Sequence, residues 1–264
     1  MANAILYICS MIHPSALVSS QAEVSPEAFV GPWCIVDAGA KVAAGVRLEA
    51  RVHVNSHVEI GENTAVFDGA VLGAPPQDLK YGNEPTRLII GKNCTIREYC
   101  TLNRGTVASG YTEVGDDALL MAYVHVAHDC RIGEGAVVSN GCQLGGHVRI
   151  GEYATIGGTA GVAQRCCIGA YSFVGASLKV DRDVPPAVKA LGNPLKFAGL
   201  NLHALRRFPE IFSEERIVAL EKSYRQLYRS ASIEEALHAL LAVPETDVLL
   251  HDFFGNWQGR LITR

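Results

Sequence analysis

An aliphatic residue recurs at every sixth position from Ile12 to Val180, and this period constrains the fold more than any other feature of the sequence. Only three positions in the register, Asp78, Glu84 and Ala108, are not Ile, Leu or Val. A helix spaces its apolar residues by about 3.6 and a half-buried strand by about two, so neither explains a sustained period of six. The pattern is typical of a hexapeptide solenoid, in which each unit supplies a short strand and a turn.

If three six-residue units close one coil, residues 18 apart lie above one another at the strand spacing of about 4.8 Å. The aliphatic residues then fill the inside of a three-sided tube. Six of the eight cysteines lie at small, inward positions two before an aliphatic residue, where a thiol packs as a small apolar side chain. Since no cysteine pair has zinc-site spacing, we expect packing thiols in a reducing, cytoplasmic compartment.

Composition argues against two classes of partner. The net charge is −4 and no basic cluster is visible, so nucleic acid is not an expected partner. No apolar run approaches the length of a transmembrane helix. The first ten residues are too short for a signal peptide and lead directly into the first repeat, and Met11 is an alternative start.

The sixfold period ends at Pro185–Pro186, and helical signals follow. Ser213 precedes an apolar stripe at helical spacing, Ser232 opens a second helix as a capping box, and Pro244 ends it. The predicted fold is therefore mainly β with an α-helical tail: a hexapeptide-repeat β-helix over residues 12–184 and a helical domain over residues 194–264. We expect the helical stripe to be core rather than a partner groove.

Two lapses in the repeat predict loops that leave the tube. The first, residues 73–87, is polar and the period resumes in register at Ile90. Loops on a rigid scaffold often carry binding residues, and this one offers an amide, an acid and a base in Gln77, Asp78 and Lys80. A tolerated insertion without chemistry is the alternative. The second lapse, residues 103–113, contains Arg104 but no chemistry strong enough to assign.

The segment His125–Cys130 carries the most informative cluster. Val126 points inward, so His125 points outward, and His128 and Asp129 occupy the following turn. The 18-residue coil predicts that one edge of the tube gathers side chains remote in sequence: His128, Gly146, His147 and Gln164.

Such an edge has the parts of an acid–base site. The imidazole takes a proton, the carboxylate orients it, and an uncovered glycine amide faces developing negative charge. Two other interpretations stay open. Three imidazoles, from His125, His128 and His147, can bind zinc, and the edge can be the solvated surface of a non-catalytic scaffold.

Several motifs together resemble the UDP-N-acetylglucosamine O-acyltransferases that begin lipid A synthesis: Gln77–Tyr81, Glu84–Arg87, Ile96–Glu98, Asn103–Thr106, His125–Cys130, Gly146–Val148 and Asp183–Pro186. The resemblance implies a left-handed parallel β-helix, an exception to the usual right-handed crossover, assembled as a homotrimer with active sites between subunits. It implies transfer of a 3-hydroxyacyl chain from acyl carrier protein to the glucosamine 3-hydroxyl of the UDP-sugar, with no metal or redox cofactor.

The resemblance also assigns roles to residues. His128 is the general base, Asp129 orients and charges it, and the Gly146 amide stabilises the oxyanion. Asp78 and Lys80 hold the sugar. The other expected substrate contacts are His125, His147, Gln164, Asn201 and Arg207. Ala176 falls where the family sets acyl-chain length, and a small residue there leaves room for a medium or long chain. Exposed basic residues of the tail are candidates for docking the acidic carrier: Arg206, Arg207, Lys222, Arg225 and Arg229.

Three positions depart from the family pattern where the UDP-sugar should bind. Ala163 stands where a His is usual, His203 where an acid is expected, and Phe208 where the second basic residue of a pair is expected. A paralogue that acylates a related nucleotide sugar, such as one with a 3-amino group, is therefore the alternative function. A zinc-dependent hydratase on the same solenoid is a further one.

Overall fold

The computed structural model of the protein describes residues 11–255 and 259–263. The expectation about the first ten residues lies outside this range. Within it, no helix is both long and apolar enough to cross a bilayer.

The repeat region consists of short strands joined by tight turns, each strand two to four residues long. In chain order they are β1 (Leu17–Val18), β2 (Glu23–Val24), β3 (Phe29–Val30), β4 (Ile35–Val36), β5 (Lys41–Val42), β6 (Arg47–Leu48), β7 (His53–Val54), β8 (Val58–Ile60), β9 (Ala65–Val66), β10 (Val71–Ala74), β11 (Arg87–Ile90), β12 (Thr95–Ile96), β13 (Thr101–Asn103), β14 (Tyr111–Val114), β15 (Leu119–Leu120), β16 (His125–Val126), β17 (Arg131–Ile132), β18 (Val137–Val138), β19 (Gln143–Leu144), β20 (Arg149–Ile150), β21 (Thr155–Ile156), β22 (Gly161–Val162), β23 (Cys167–Ile168), β24 (Phe173–Val174) and β25 (Lys179–Val180).

Every third strand joins the same sheet, so the chain winds around three parallel sheets. The first sheet runs from β1 to β25, the second from β2 to β23, and the third from β3 to β24. His125 pairs with Gln143, and Gln143 pairs with Gly161, each 18 positions further on. This register confirms the predicted coil, and the architecture is the predicted left-handed parallel β-helix.

Two coils are longer than the others, because the loops are inserted in them. Val71 pairs with Thr101, a separation of 101 − 71 = 30, which is 12 more than a regular coil. Thr101 pairs with His125, a separation of 125 − 101 = 24, which is six more. The three positions that break the aliphatic period lie inside these insertions, so they do not interrupt the tube.

The aliphatic residues of the repeat line the inside of the tube, and those from Val30 to Val180 are buried. The six repeat cysteines are free thiols and buried beside them, as predicted. Burial raises the pKa of the Cys130 thiol to about 12, because its effect is larger than that of the hydrogen bonds that lower the pKa. These thiols are therefore protonated packing groups rather than nucleophiles.

Beyond residue 184, the described residues form two strands and four helices: β26 (Val188–Leu191), β27 (Lys196–Leu200), α1 (Leu202–Leu205), α2 (Glu214–Arg229), α3 (Ile233–Leu241) and α4 (Val248–Phe254). β26 continues the third sheet in parallel with β24, and β27 pairs with it antiparallel. Ser213 and Ser232 cap α2 and α3. The apolar stripe of α2 is buried, and the Tyr224 hydroxyl donates to the Pro186 carbonyl. The two-domain division stays our proposal.

Candidate active site

The two inserted loops and the predicted acid–base residues share one edge of the tube. This edge, called the site edge, consists of the turns that join the first sheet to the second. It includes the loop at 75–86, the loop at 104–110, and the turns at 127–130, 145–148 and 163–166. Adjacent turns are hydrogen bonded: the His147 amide donates to the His128 carbonyl at 2.9 Å, and the Arg165 amide donates to the Gly146 carbonyl at 2.9 Å. The structure therefore confirms the predicted column of His128, Gly146 and Gln164.

His128 and Asp129 form a close pair at the centre of the site edge. The distance from His128 Nδ1 to Asp129 Oδ2 is 2.7 Å. The Asp129 side chain is fully buried, whereas the His128 side chain remains 14% exposed. A buried carboxylate beside a partly open imidazole fixes the ring and leaves its other nitrogen available to a substrate.

The second inserted loop holds Asp129 in place. The Thr106 amide donates to Oδ1 at 2.9 Å and the Thr106 hydroxyl donates to Oδ2 at 2.7 Å. The Ser109 hydroxyl also donates to Oδ1. Burial acts to raise the pKa of Asp129, but hydrogen bonds from Ser109, His128 and Thr106 outweigh it and lower the pKa to about 2.

An ionised Asp129 determines the tautomer of His128. A carboxylate can only accept hydrogen bonds, so Nδ1 of His128 must donate to it. In the neutral imidazole, Nε2 is then the unprotonated nitrogen that can take a proton.

Gly146 is a glycine because the His128 ring lies against its Cα. A Cβ added there would be 2.6 Å from Cε1 and 2.7 Å from Nε2 of His128, closer than side chains pack. Among the described residues, no acceptor is bonded to the Gly146 amide. The amide and Nε2 therefore belong to the same small region, which is the arrangement that an oxyanion site requires.

Two further predicted histidines, His147 beside this pair and His125 on β16, have lowered pKa values. His147 Nε2 is 3.7 Å from Asp129 Oδ2, and its ring meets His128 edge to face. Burial lowers the pKa of His147, although Asp129 opposes this. Burial also lowers the pKa of His125, whose Nδ1 is 2.8 Å from the Thr101 hydroxyl.

The structure changes one ligand of the zinc interpretation, because Asp129 takes the place of His125. Among the described residues, the donors close enough to share an ion are His128, Asp129 and His147, whose ligand atoms lie within 4.8 Å of one another. His125 is not in this group, because its side chain projects from β16 and faces Thr101. The Asp129 carboxylate already accepts hydrogen bonds from Thr106 and Ser109. The group therefore resembles an oriented acid–base pair more than a metal site.

The first loop brings its polar residues toward the same edge. Asp78 is half-buried, its Oδ1 accepts from the Lys80 amide at 3.0 Å, and its charge acts on the pKa of His147. Gln77 and Lys80 are exposed. The base of the loop is fixed by Asn103, whose Nδ2 donates to the carbonyls at 74 and 75.

The remaining predicted residues are divided between the edges. Gln164 is exposed on the site edge next to Ala163. Ala176 lies between β24 and β25, on the edge that joins the third sheet to the first. Asn201 and Arg207 belong to the tail, away from His128 of the same chain. Asn201 is buried, caps α1, and donates to the Tyr171 carbonyl at 2.9 Å, while Arg207 is exposed.

Phe208, one of the departures from the family pattern, has a packing partner. It contacts Tyr153 and Tyr171 at centroid distances of 4.7 and 5.5 Å. These tyrosines lie in the turns that join the second sheet to the third, called here the tail edge. His203, another departure, is exposed.

Sequence reasoning missed Thr106 and Ser109. The second lapse was set aside as lacking chemistry, yet it supplies three of the donors to Asp129. The length of this loop could have identified them. An insertion of six residues that resumes in register must leave from the same edge as the turn one coil further on, and that turn contains Asp129.

Comparisons with known proteins agree with this geometry. The profile described as "Udp N-acetylglucosamine O-acyltransferase; Domain 2" matches residues 183–258, and "Bacterial transferase hexapeptide (six repeats)" matches residues 111–146. The acyl-[acyl-carrier-protein]–UDP-N-acetylglucosamine O-acyltransferase of Verminephrobacter eiseniae is 42% identical over 186 residues, covering 70% of each chain. The solved UDP-N-acetylglucosamine O-acyltransferase of Moraxella catarrhalis has a TM-score of 0.90 and 39% identity, covering 96% of this chain and 100% of its own. That of Francisella novicida has a TM-score of 0.91 and 31% identity, covering 96% and 94%.

Proposed function

The chain belongs to the UDP-N-acetylglucosamine O-acyltransferase family, and from that premise we propose that it moves a 3-hydroxyacyl chain from acyl carrier protein to the glucosamine 3-hydroxyl of UDP-N-acetylglucosamine. This reaction is the first step of lipid A synthesis. The observation that carries the proposal is the His128–Asp129 pair set against the bare Gly146 amide.

The site supplies a general base and an oxyanion donor. His128 Nε2 takes the proton of the 3-hydroxyl as its oxygen attacks the thioester carbonyl carbon. The carbonyl oxygen becomes negative and accepts from the Gly146 amide. When the tetrahedral intermediate collapses, the carbon–sulfur bond breaks and the His128 imidazolium returns its proton to the carrier thiolate. Asp129 stays ionised and stabilises the imidazolium.

The neighbouring residues hold the sugar and the acyl group. His125 and His147, whose pKa values burial lowers, offer hydrogen bonds to the substrate. Asp78 and Lys80 contact the sugar from the first loop, together with Gln77, and Gln164 lines the cleft from the next coil. No metal or redox cofactor takes part in this scheme.

We propose a homotrimer, and the division of residues between edges supports an active site shared by neighbouring subunits. Asn201 and Arg207, which we assign to the nucleotide, lie with the tail, whereas His128 lies on the site edge of the same chain. Both groups can serve one active site if the tail of one subunit meets the site edge of its neighbour. We place the enzyme in the cytoplasm, with Ala176 as the acyl-chain ruler. The exposed basic residues of the tail are the proposed docking surface for the acidic carrier protein.

A panel of carrier-bound 3-hydroxyacyl chains, offered with UDP-N-acetylglucosamine and with its 3-amino analogue, tests the proposal. We expect transfer to the 3-hydroxyl acceptor, with a preference for medium or long chains. Transfer confined to the amino analogue would assign the chain to the alternative acceptor, which the departures at Ala163, His203 and Phe208 favour. Absence of transfer to either acceptor would contradict the proposed reaction.

A further inference from the structure

A groove of about 730 Å³ lies between the outer face of the second sheet and α4, beside the site edge. Three arginines line it: Arg131, Arg149 and Arg165. The opposite wall includes Leu249 and Phe253 of α4. The groove thus combines three arginines and three acidic residues with one apolar wall. It lies outside the set of residues assigned to the reaction above.

The three arginines of the groove differ in their partners. Arg131 lies over the Tyr111 ring and 3.5 Å from a carboxylate oxygen of Glu113. Within the described part of the chain, Arg149 and Arg165 have no ion pair. Yet Arg149 is in register beside Arg131 on the neighbouring strand, and like charges on adjacent strands destabilise a sheet unless an anion lies near.

The acidic residues of the groove balance its formal charge but form no ion pair with Arg149 or Arg165 in the described part of the chain. Asp183 accepts a hydrogen bond from the Cys167 amide at 2.7 Å, and Glu152 and Asp252 line the groove without pairing to Arg149 or Arg165 among the described residues. A bound anion would therefore interact with guanidinium groups whose charge is still available. Arginine is well suited to this role because its planar donors match the oxygens of a phosphate.

The position of Arg165 identifies which anion the groove would take. Its amide donates to the Gly146 carbonyl, so its side chain begins one coil from the oxyanion amide, and its charge acts on His147. In a nucleotide sugar, the carbon bearing the 3-hydroxyl is two ring bonds from the anomeric carbon that bears the diphosphate. When the 3-hydroxyl is at His128, the diphosphate must lie only a few bonds away. The phosphodiester of the carrier arm is much further from its thioester.

We propose that Arg149 and Arg165 form a subsite for the diphosphate of the nucleotide sugar. The subsite rests on the proposed function, since it takes the acceptor of that reaction. It adds two cations from the β-helix itself to the residues of the tail that we assign to the nucleotide.

Calorimetric titration with UDP and with uridine, together with steady-state kinetics, tests the subsite on Arg149→Gln, Arg165→Gln and the double variant. We expect each single change to weaken UDP binding by about 10-fold and the double change by more, because each removes a charge-assisted contact. Uridine binding should stay the same. The KM for UDP-N-acetylglucosamine should rise in parallel, with the KM for the acyl carrier unchanged.

Lys41→Gln is the matched control, because Lys41 is an exposed cation on the outer face of the same sheet, far along the tube in β5. UDP affinity within twofold of wild type in the double variant would overturn the subsite. A rise only in the KM for the acyl carrier would also overturn it and point to the carrier phosphodiester. Arginine-dependent UDP binding by a wild-type protein that transfers no acyl group would instead contradict the proposed reaction and leave the subsite standing.

Discussion

The site edge and the tail edge have the same backbone and different chemistry. Asp129 on the site edge and Tyr171 on the tail edge both occupy the left-handed turn position, with φ of 61° and 57°. Asp129 faces an inserted loop of hydroxyl and amide donors, whereas Tyr171 packs against Phe208 and Phe212 of the tail. The repeat therefore determines where a side chain projects, and the segment added outside the tube determines what the side chain does there.

Loss of the base should have the largest effect. His128→Ala removes the only group that we assign to deprotonate the 3-hydroxyl, so kcat should fall by about 10⁴-fold, at the upper end for general-base catalysis. Because the His128 ring also bonds the buried Asp129 carboxylate, the variant should be about 1 kcal/mol less stable than wild type, with an unchanged oligomeric state. Acyl-transfer assays and thermal denaturation measure both. Retained turnover in a folded variant would remove the site edge from the chemistry.

Gly146→Ala should act through the ring that it displaces. The new Cβ would overlap His128, which must rotate away from Asp129, and a misplacement of about 1 Å can cost roughly 100-fold in rate. Gly161→Ala is the matched control, since a Cβ in this neighbouring strand meets nothing within 4 Å. We expect normal kcat for the control and a loss of about 100-fold for Gly146→Ala. Equal kcat values for Gly146→Ala and Gly161→Ala would show that the close approach of the His128 ring to the Gly146 amide does not affect catalysis.

The loop that clamps Asp129 predicts a pH dependence of stability. The folded-state pKa of about 2 lies below the ordinary value of 3.8, so the stabilisation is present above pH 4 and is lost as pH falls toward 2. It amounts to about 2 kcal/mol at neutral pH. Ser109→Ala removes one donor, so the variant should unfold about 1 kcal/mol more easily at pH 7, with a deficit that shrinks only as pH falls to about 2.

Chemical denaturation at several pH values measures this effect. Ser25→Ala serves as control, because Ser25 is a half-buried turn serine whose hydroxyl, among the described residues, bonds only the amide at 27. A deficit for Ser109→Ala that is the same at pH 2 and pH 7 would mean that its hydroxyl does not act through the Asp129 charge.

A substitution on the tail edge should lower stability and have little effect on catalysis. Phe212 is buried against Tyr171, so Phe212→Ala should lower the free energy of unfolding by about 3 kcal/mol. At a temperature where the variant is folded, kcat with saturating substrates should change by less than about twofold. A large loss of kcat in the folded variant would show that the two edges are coupled and not independent products of one repeat.

The same contrast explains what the sequence could predict. The period of six predicted the coil and placed His128, Gly146 and Gln164 in one column, because stacking depends only on a fixed repeat length. It could not predict that Thr106 and Ser109 bond Asp129, because the conformation of an inserted loop does not follow from the period. Nor could it predict that Asn201 and Phe208 pack with the tail edge, because helices dock on the tube through tertiary contacts.

Chelation should have the smallest effect, and it separates acid–base chemistry from the zinc alternative. Nδ1 of His128 is bonded to Asp129, which also accepts from Thr106 and Ser109. A metal would have to displace these donors to use the carboxylate, at the cost of leaving buried polar groups unpaired. Prolonged dialysis against EDTA should therefore leave kcat within experimental error, and added Zn²⁺ should not increase it. Activity that is lost on chelation and restored by stoichiometric zinc would make the site edge a metal site, with His128 a ligand and not a base.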